Sequence, residues 1–150
     1  MRALERAARL LVWVAAAFLV TMMMLVVADV ALRGLFGIPI RGSVELVELL
    51  LACTFFIALP AAFLRDDHLM VDMVDHWWPR VVPGLKRFAA LIAIPVLVTM
   101  AWQGWKVAAD VVELGDVTSD LSLPRVLYWI PVLFGMIGAA VAALVLALRR

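Results

Sequence analysis

Four stretches of this chain are each long and apolar enough to cross a lipid bilayer, and nothing else in the sequence restricts its fold so severely. They cover residues 10–32, about 44–64, 88 to about 109, and 126–148. A crossing helix needs about 20 mostly apolar residues. Inside hydrocarbon no water satisfies a backbone N–H or C=O, so each segment must satisfy its own, which selects helices over open strands. The expected fold is all-α: a single four-span transmembrane domain over residues 1–150. Pro60, Pro95 and Pro131 fall inside spans two, three and four, where each removes a backbone donor and is expected to kink its helix.

Composition agrees with that reading. Hydrophobic residues make up 67% of the chain, against about 45–50% in soluble domains, and the mean hydropathy is +1.08. The first partner is therefore the lipid bilayer. A net charge of +1 gives no electrostatic reason for a nucleic-acid partner. The lone Cys53 offers neither a disulfide frame nor a Cys zinc site. Ala28 before Asp29 imitates a cleavage site, but the apolar run ahead of it exceeds the roughly 7–15 residues of a signal peptide's core, so span one is read as a membrane helix.

Lys and Arg set the expected orientation. Nine lie on one side: Arg2, Arg6, Arg9, Arg65, Arg80, Lys86, Arg87, Arg149 and Arg150. The other side has Arg33, Arg41, Lys106 and Arg125, mixed with Asp110, Glu113, Asp116 and Asp120. Both termini are therefore expected in the cytoplasm. Trp77 and Trp78 mark one membrane interface. Trp102, Trp105 and Trp129, with Tyr128, mark the other, as an aromatic belt does.

The stretch RDDHLMVDMVDHWWPR, residues 65–80, holds both histidines and four of the twelve acidic residues. At about 100° per residue, His68, Asp72, Asp75 and His76 share one arc, joined by Arg65. Leucine, methionine, valine and tryptophan cover the rest. That pattern predicts an amphipathic helix lying in the interface over about 68–78, ended by Pro79. The i, i+4 spacing of His68 with Asp72 imitates a metal pair, but no Cys, third His or zinc-hydrolase glutamate accompanies it. Neither histidine lies within a span, where it would have to be to ligate haem. The face is read as solvated or docked to a partner, not as a metal site.

Charges gather near the opposite side. Asp29 and Arg33 form an i, i+4 pair at the end of span one. Span two opens RGSVELVELL, where Ser43 is a candidate cap and Glu45 sits favourably in the first turn. Glu48 lies one turn deeper. An unpaired carboxylate costs roughly 2.5–3.5 kcal/mol at the centre of a membrane helix, so Glu48 calls for Arg33, Arg41 or a basic group on another chain. On span four Gly135, Gly138, Ala139 and Ala142 supply small residues at helix-contact spacing.

The middle of the membrane is nearly empty of polar groups. Between the interfaces stand Thr21, Thr54, Thr99 and, nearer an edge, Gln103. Coupled carriers place ionisable groups or broken helices there, and channels need polar linings. No nucleophile–base pair or phosphate loop argues for an enzyme. Catalytic, cofactor-binding and metal residues are therefore all expected to be absent. The chain reads as a bundle with an oily middle that holds or orients something else. Two alternatives stay open: a small autonomous proton-coupled transporter titrating at Glu48, and a membrane anchor of a redox complex.

Three patterns, in order and spacing, resemble a known family. They are an Arg33-ended first span followed by SVELVELL with Glu45 and Glu48; DDHLMVD with His68 and Asp72; and SDLSLPRVLYWIPVLFG, residues 119–135, opening span four. Together they resemble the small membrane subunit of TRAP transporters, the tripartite ATP-independent periplasmic systems. Asp67 stands where that family often has Gly before the histidine. The resemblance implies a bacterial inner-membrane complex with a large multi-span subunit and a periplasmic substrate-binding protein. It places substrate and sodium sites in the large subunit, which takes up an organic acid, and none in this chain. It makes Glu45, Glu48, His68 and Asp72 candidates for the partner interface or for fixing the fold, and Asp29 and Arg33 join them through their own helical pairing.

Overall fold

The computed structural model describes the backbone of residues 2–65 and 82–149, with side chains over 4–64 and 92–145. The interfacial helix expected over 68–78, with His68, Asp72, Trp77 and Trp78, lies outside the described residues. Four helices are described: α1 Arg2–Phe36, α2 Ser43–Arg65, α3 Val82–Leu114 and α4 Val126–Arg149. Each contains one apolar run, and all four are long and apolar enough to cross a membrane.

The helices overrun the apolar stretches, because intrahelical hydrogen bonding does not stop where hydrophobicity does. What stops it is the backbone. Gly37, at φ +68°, donates its N–H to the Arg33 carbonyl over 3.1 Å and closes α1. Gly115, at φ +64°, donates to Val112 and the following Asp116 N–H donates to Val111, each over 3.3 Å, so α3 ends in a Schellman motif. Both glycines take a left-handed conformation that costs any other residue a Cβ clash. At the start of α2 the Leu46 N–H bonds the Gly42 carbonyl over 3.1 Å. Gly42 is thus the capping position, and Ser43 is the first helical residue, not the cap expected from its side chain. Pro60, Pro95 and Pro131 all stand inside helices.

The helices form an open row. Along it α1 touches α2, α2 touches α4, and α4 touches α3; among the described residues no other pair of helices meets. A closed four-helix bundle would need a further seam to enclose an interior, and this arrangement has none. The seams are built on small residues: Ala61, Ala139, Ala142 and Ala143 are among the most buried of the described residues. At the central seam Gly135 lies against the Phe56 backbone, and Gly138 lies against the Pro60 ring. Large apolar side chains, including Trp13, Met24, Phe55 and Val141, point outward. Lipid tails are as apolar as leucine, so helices in a membrane gain little by hiding such groups and associate instead through close backbone packing.

Candidate functional site

Two acidic residues, Asp29 and Glu45, each hold an interhelix connection in place, and both connections lie at the same end of the row. Asp29 is buried near the end of α1. One carboxylate oxygen accepts the Arg33 guanidinium over 2.8 Å, forming the expected i, i+4 pair. The other oxygen accepts the Ile40 N–H over 2.7 Å, which ties down the 37–42 connection leading into α2.

Glu45 acts on the second connection, between α3 and α4. Residues 116–125 fold back on themselves as a narrow loop. Thr118 donates its N–H to the Leu123 carbonyl over 2.9 Å, and the Leu123 N–H returns to the Thr118 hydroxyl over 3.0 Å. The Arg125 N–H bonds the Asp116 carbonyl over 2.9 Å, and Val117 forms an isolated bridge with Pro124. Ser122 turns the chain at φ 54°. The reversal aims successive N–H groups at α2. The Glu45 carboxylate accepts Asp120 N–H over 2.7 Å and Leu121 N–H over 3.1 Å. Leu121 fills the space a side chain on Gly42 would need. The Tyr128 hydroxyl, in the first turn of α4, donates to the Glu45 carbonyl over 2.8 Å. One residue therefore gathers the start of α2, the loop and the start of α4. The helix-dipole role expected for Glu45 is compatible with this geometry, but a sequence separation of 75 or more residues hid the partners.

Beside this clamp lies a polar cleft of about 380 Å³, lined by Val44, Glu45, Glu48, Thr118, Ser119, Asp120, Arg125, Tyr128 and Trp129. Glu48 is exposed here. Among the described residues it makes no ion pair or hydrogen bond, and Arg33, one of its expected neutralisers, is engaged by Asp29. A second groove of about 440 Å³ is almost wholly apolar and runs between α2 and α4, past Leu49, Cys53, Ile57, Leu127, Ile130, Pro131 and Phe134. The two cavities share no residue.

The expected aromatic anchors divide. Trp102 and Trp105 are exposed on α3, with the Lys106 ammonium 5.6 Å from the Trp102 ring centre. Trp129 lines the cleft and lies against Gly104, where an added side-chain carbon would still make only ordinary contact at 3.4 Å. Among the described residues no three His, Cys, Asp or Glu side chains converge as metal ligands do.

The mid-membrane hydroxyls are all engaged within their own helices. Thr21 donates to the Ala17 carbonyl over 2.8 Å, Thr54 to Leu50 over 2.8 Å, and Thr99 to Pro95 over 2.6 Å. None has its proton free for a passing solute.

Sequence reasoning did not find Tyr128 as a bonding partner, the loop amides, or the contact of Asp29 with Ile40. The signal for the loop was present only as the quoted stretch beginning at Ser119. That stretch supplies the donors to Glu45, while SVELVELL supplies the acceptor.

No curated protein and no solved structure matches this chain. The family described as tripartite ATP-independent periplasmic transporters, DctQ component, matches residues 22–150, and the chain therefore belongs to that family as a small membrane component of such a transporter.

Proposed function

We propose that this chain is the fixed small permease subunit of a TRAP-type secondary transporter, a single four-span unit serving as a wall for the large transport subunit. The large subunit, on this proposal, carries out sodium-coupled uptake of an organic acid that a periplasmic binding protein delivers. The chain sits in the bacterial inner membrane with both termini in the cytoplasm, following its lysine and arginine distribution.

One observation carries the proposal: the four helices stand in an open row, with every mid-span hydroxyl bonded to its own helix. A solute crossing the membrane needs a polar lining or coordinating groups, and a row without an interior provides neither. Such a row suits a partner standing alongside. Even in the best-buried candidate span only 33% of the residues are buried within this chain, which leaves broad apolar faces for lipid and for a second membrane subunit.

The test is reconstitution. Liposomes holding both membrane subunits, given the loaded binding protein and a sodium gradient, are expected to accumulate substrate, and liposomes lacking this chain are not. Equal uptake without it refutes the proposal. Gradient-driven transport by this chain alone, lost in Glu48→Gln, would replace it with the autonomous-transporter alternative.

A further inference from the structure

We infer that the polar cleft beside Glu45 is a socket for a cationic side chain, arginine or lysine, of the large membrane subunit, with Glu48 as its counter-ion. This rests on the scaffold role proposed above and specifies where the two subunits lock together.

Charge complementarity gives the first argument. The cleft lining carries three carboxylates, Glu45, Glu48 and Asp120, against a single guanidinium, Arg125. These groups do not contribute equally. Both oxygens of Glu45 already accept loop N–H groups. Glu48 makes no hydrogen bond or ion pair among the described residues, although it faces into a cavity between helix ends. Arg125 lines the same cleft but forms no ion pair with Glu48, and a carboxylate in an apolar helix that stays unpaired among the described residues marks a partner group, because intramembrane charges are normally paired.

The surroundings narrow the occupant. A bare metal ion would need several converging ligands, and no such group occurs among the described residues. Tyr128 and Trp129 add aromatic walls, and a guanidinium or ammonium gains by lying against such a ring. Depth separates the two protein partners. Glu48 stands five residues past Ser43, the first residue of α2, about 7.5 Å further along the helix. The 116–125 loop lies at the helix end. A soluble binding protein reaches that loop first, whereas a neighbouring membrane helix reaches Glu48 sideways through the apolar layer.

The experiment combines co-purification with crosslinking in the assembled membrane complex. Tagged wild-type chain, Glu48→Gln and Glu48→Lys are each expressed with the large subunit, and the retained large subunit is quantified. Glu48→Lys is expected to lower retention about tenfold or more, as loss and reversal of a charge-assisted contact should. Glu48→Gln should fall between it and the wild type. A photocrosslinking residue at Val44, on the cleft rim, is expected to capture a peptide of the large subunit containing Lys or Arg. Equal retention in all three, with the wild type co-purifying, overturns the socket and leaves the scaffold role standing. A Val44 crosslink to lipid or to the binding protein alone overturns it too, independently of whether Glu48→Lys folds. If the wild type retains no large subunit, the scaffold role falls, and the socket with it.

Discussion

Replacing Gly135 by alanine adds one methyl group at the central seam, and the geometry sets its effect. The new Cβ would stand 2.7 Å from Phe56 Cβ and 2.8 Å from its carbonyl carbon, with the carbonyl oxygen nearer still. Carbon atoms rest at about 3.5–4.0 Å, so α2 and α4 must part by about 1 Å there. The obstacle is backbone, which cannot rotate aside. Overpacking of this kind costs about 1–3 kcal/mol, and alanine returns at most roughly 1 kcal/mol through better helix propensity. Even with the full propensity return the net loss reaches about 2 kcal/mol, a factor of up to about 30 in the folded-to-unfolded ratio. Burial elsewhere offers no compensation, since lipid replaces any apolar contact the helices give up.

Cys53 supplies the assay. It is the sole cysteine, half-buried, and it lines the groove between the same two helices. Its labelling by a bulky maleimide, followed during denaturation in detergent, reports opening of the seam. Gly135→Ala is expected to lower the midpoint and speed labelling. Gly34→Ala is the control of opposite sign, because nothing lies within 4 Å of the added methyl and only the propensity gain remains. Gly104→Ala, with its nearest contacts at 3.4 Å, should be nearly neutral. A Gly135→Ala chain as resistant as the wild type refutes the close approach. A Gly34→Ala chain that loses as much refutes the assignment of the effect to the seam.

Three further outcomes follow from the connections and the mid-span hydroxyls. Glu45→Ala removes the acceptor of two loop amides, so hydrogen exchange at Asp120 and Leu121 should accelerate; unchanged protection there removes the clamp. Asp29→Ala should accelerate exchange at Ile40, whereas Asp29→Asn keeps an acceptor for that N–H and should alter it far less. Thr21→Val, Thr54→Val and Thr99→Val, combined in one chain, should leave uptake by the full transporter unchanged, because each hydroxyl bonds its own helix; a large loss would give those hydroxyls a part in transport.

Local chemistry made much of this protein legible in its sequence. A run of about 20 apolar residues has one stable backbone solution in hydrocarbon, so the four helices could be placed from their composition. Asp29 and Arg33 are one helical turn apart, and their ion pair follows from that spacing alone. The ends of the helices were less legible, because hydrophobicity fades before hydrogen bonding does and the stop depends on Gly37 and Gly115 reaching positive φ.

Tertiary structure decided the rest. Sequence counted four helices but could not order them, since any pair of apolar helices satisfies the same composition. At the α2–α4 seam the contact is set where a glycine lets backbones touch, Gly135 at Phe56. Glu45 read as a helix-end carboxylate until folding brought Asp120 and Leu121, 75 and 76 residues away, within hydrogen-bond reach. Glu48, one turn on, received no such partner among the described residues. Two glutamates three residues apart in one helix differ in role because a distant loop reaches only the first. Spacing along a chain fixes contacts within a helical turn, whereas contacts between distant segments exist only once backbones have packed.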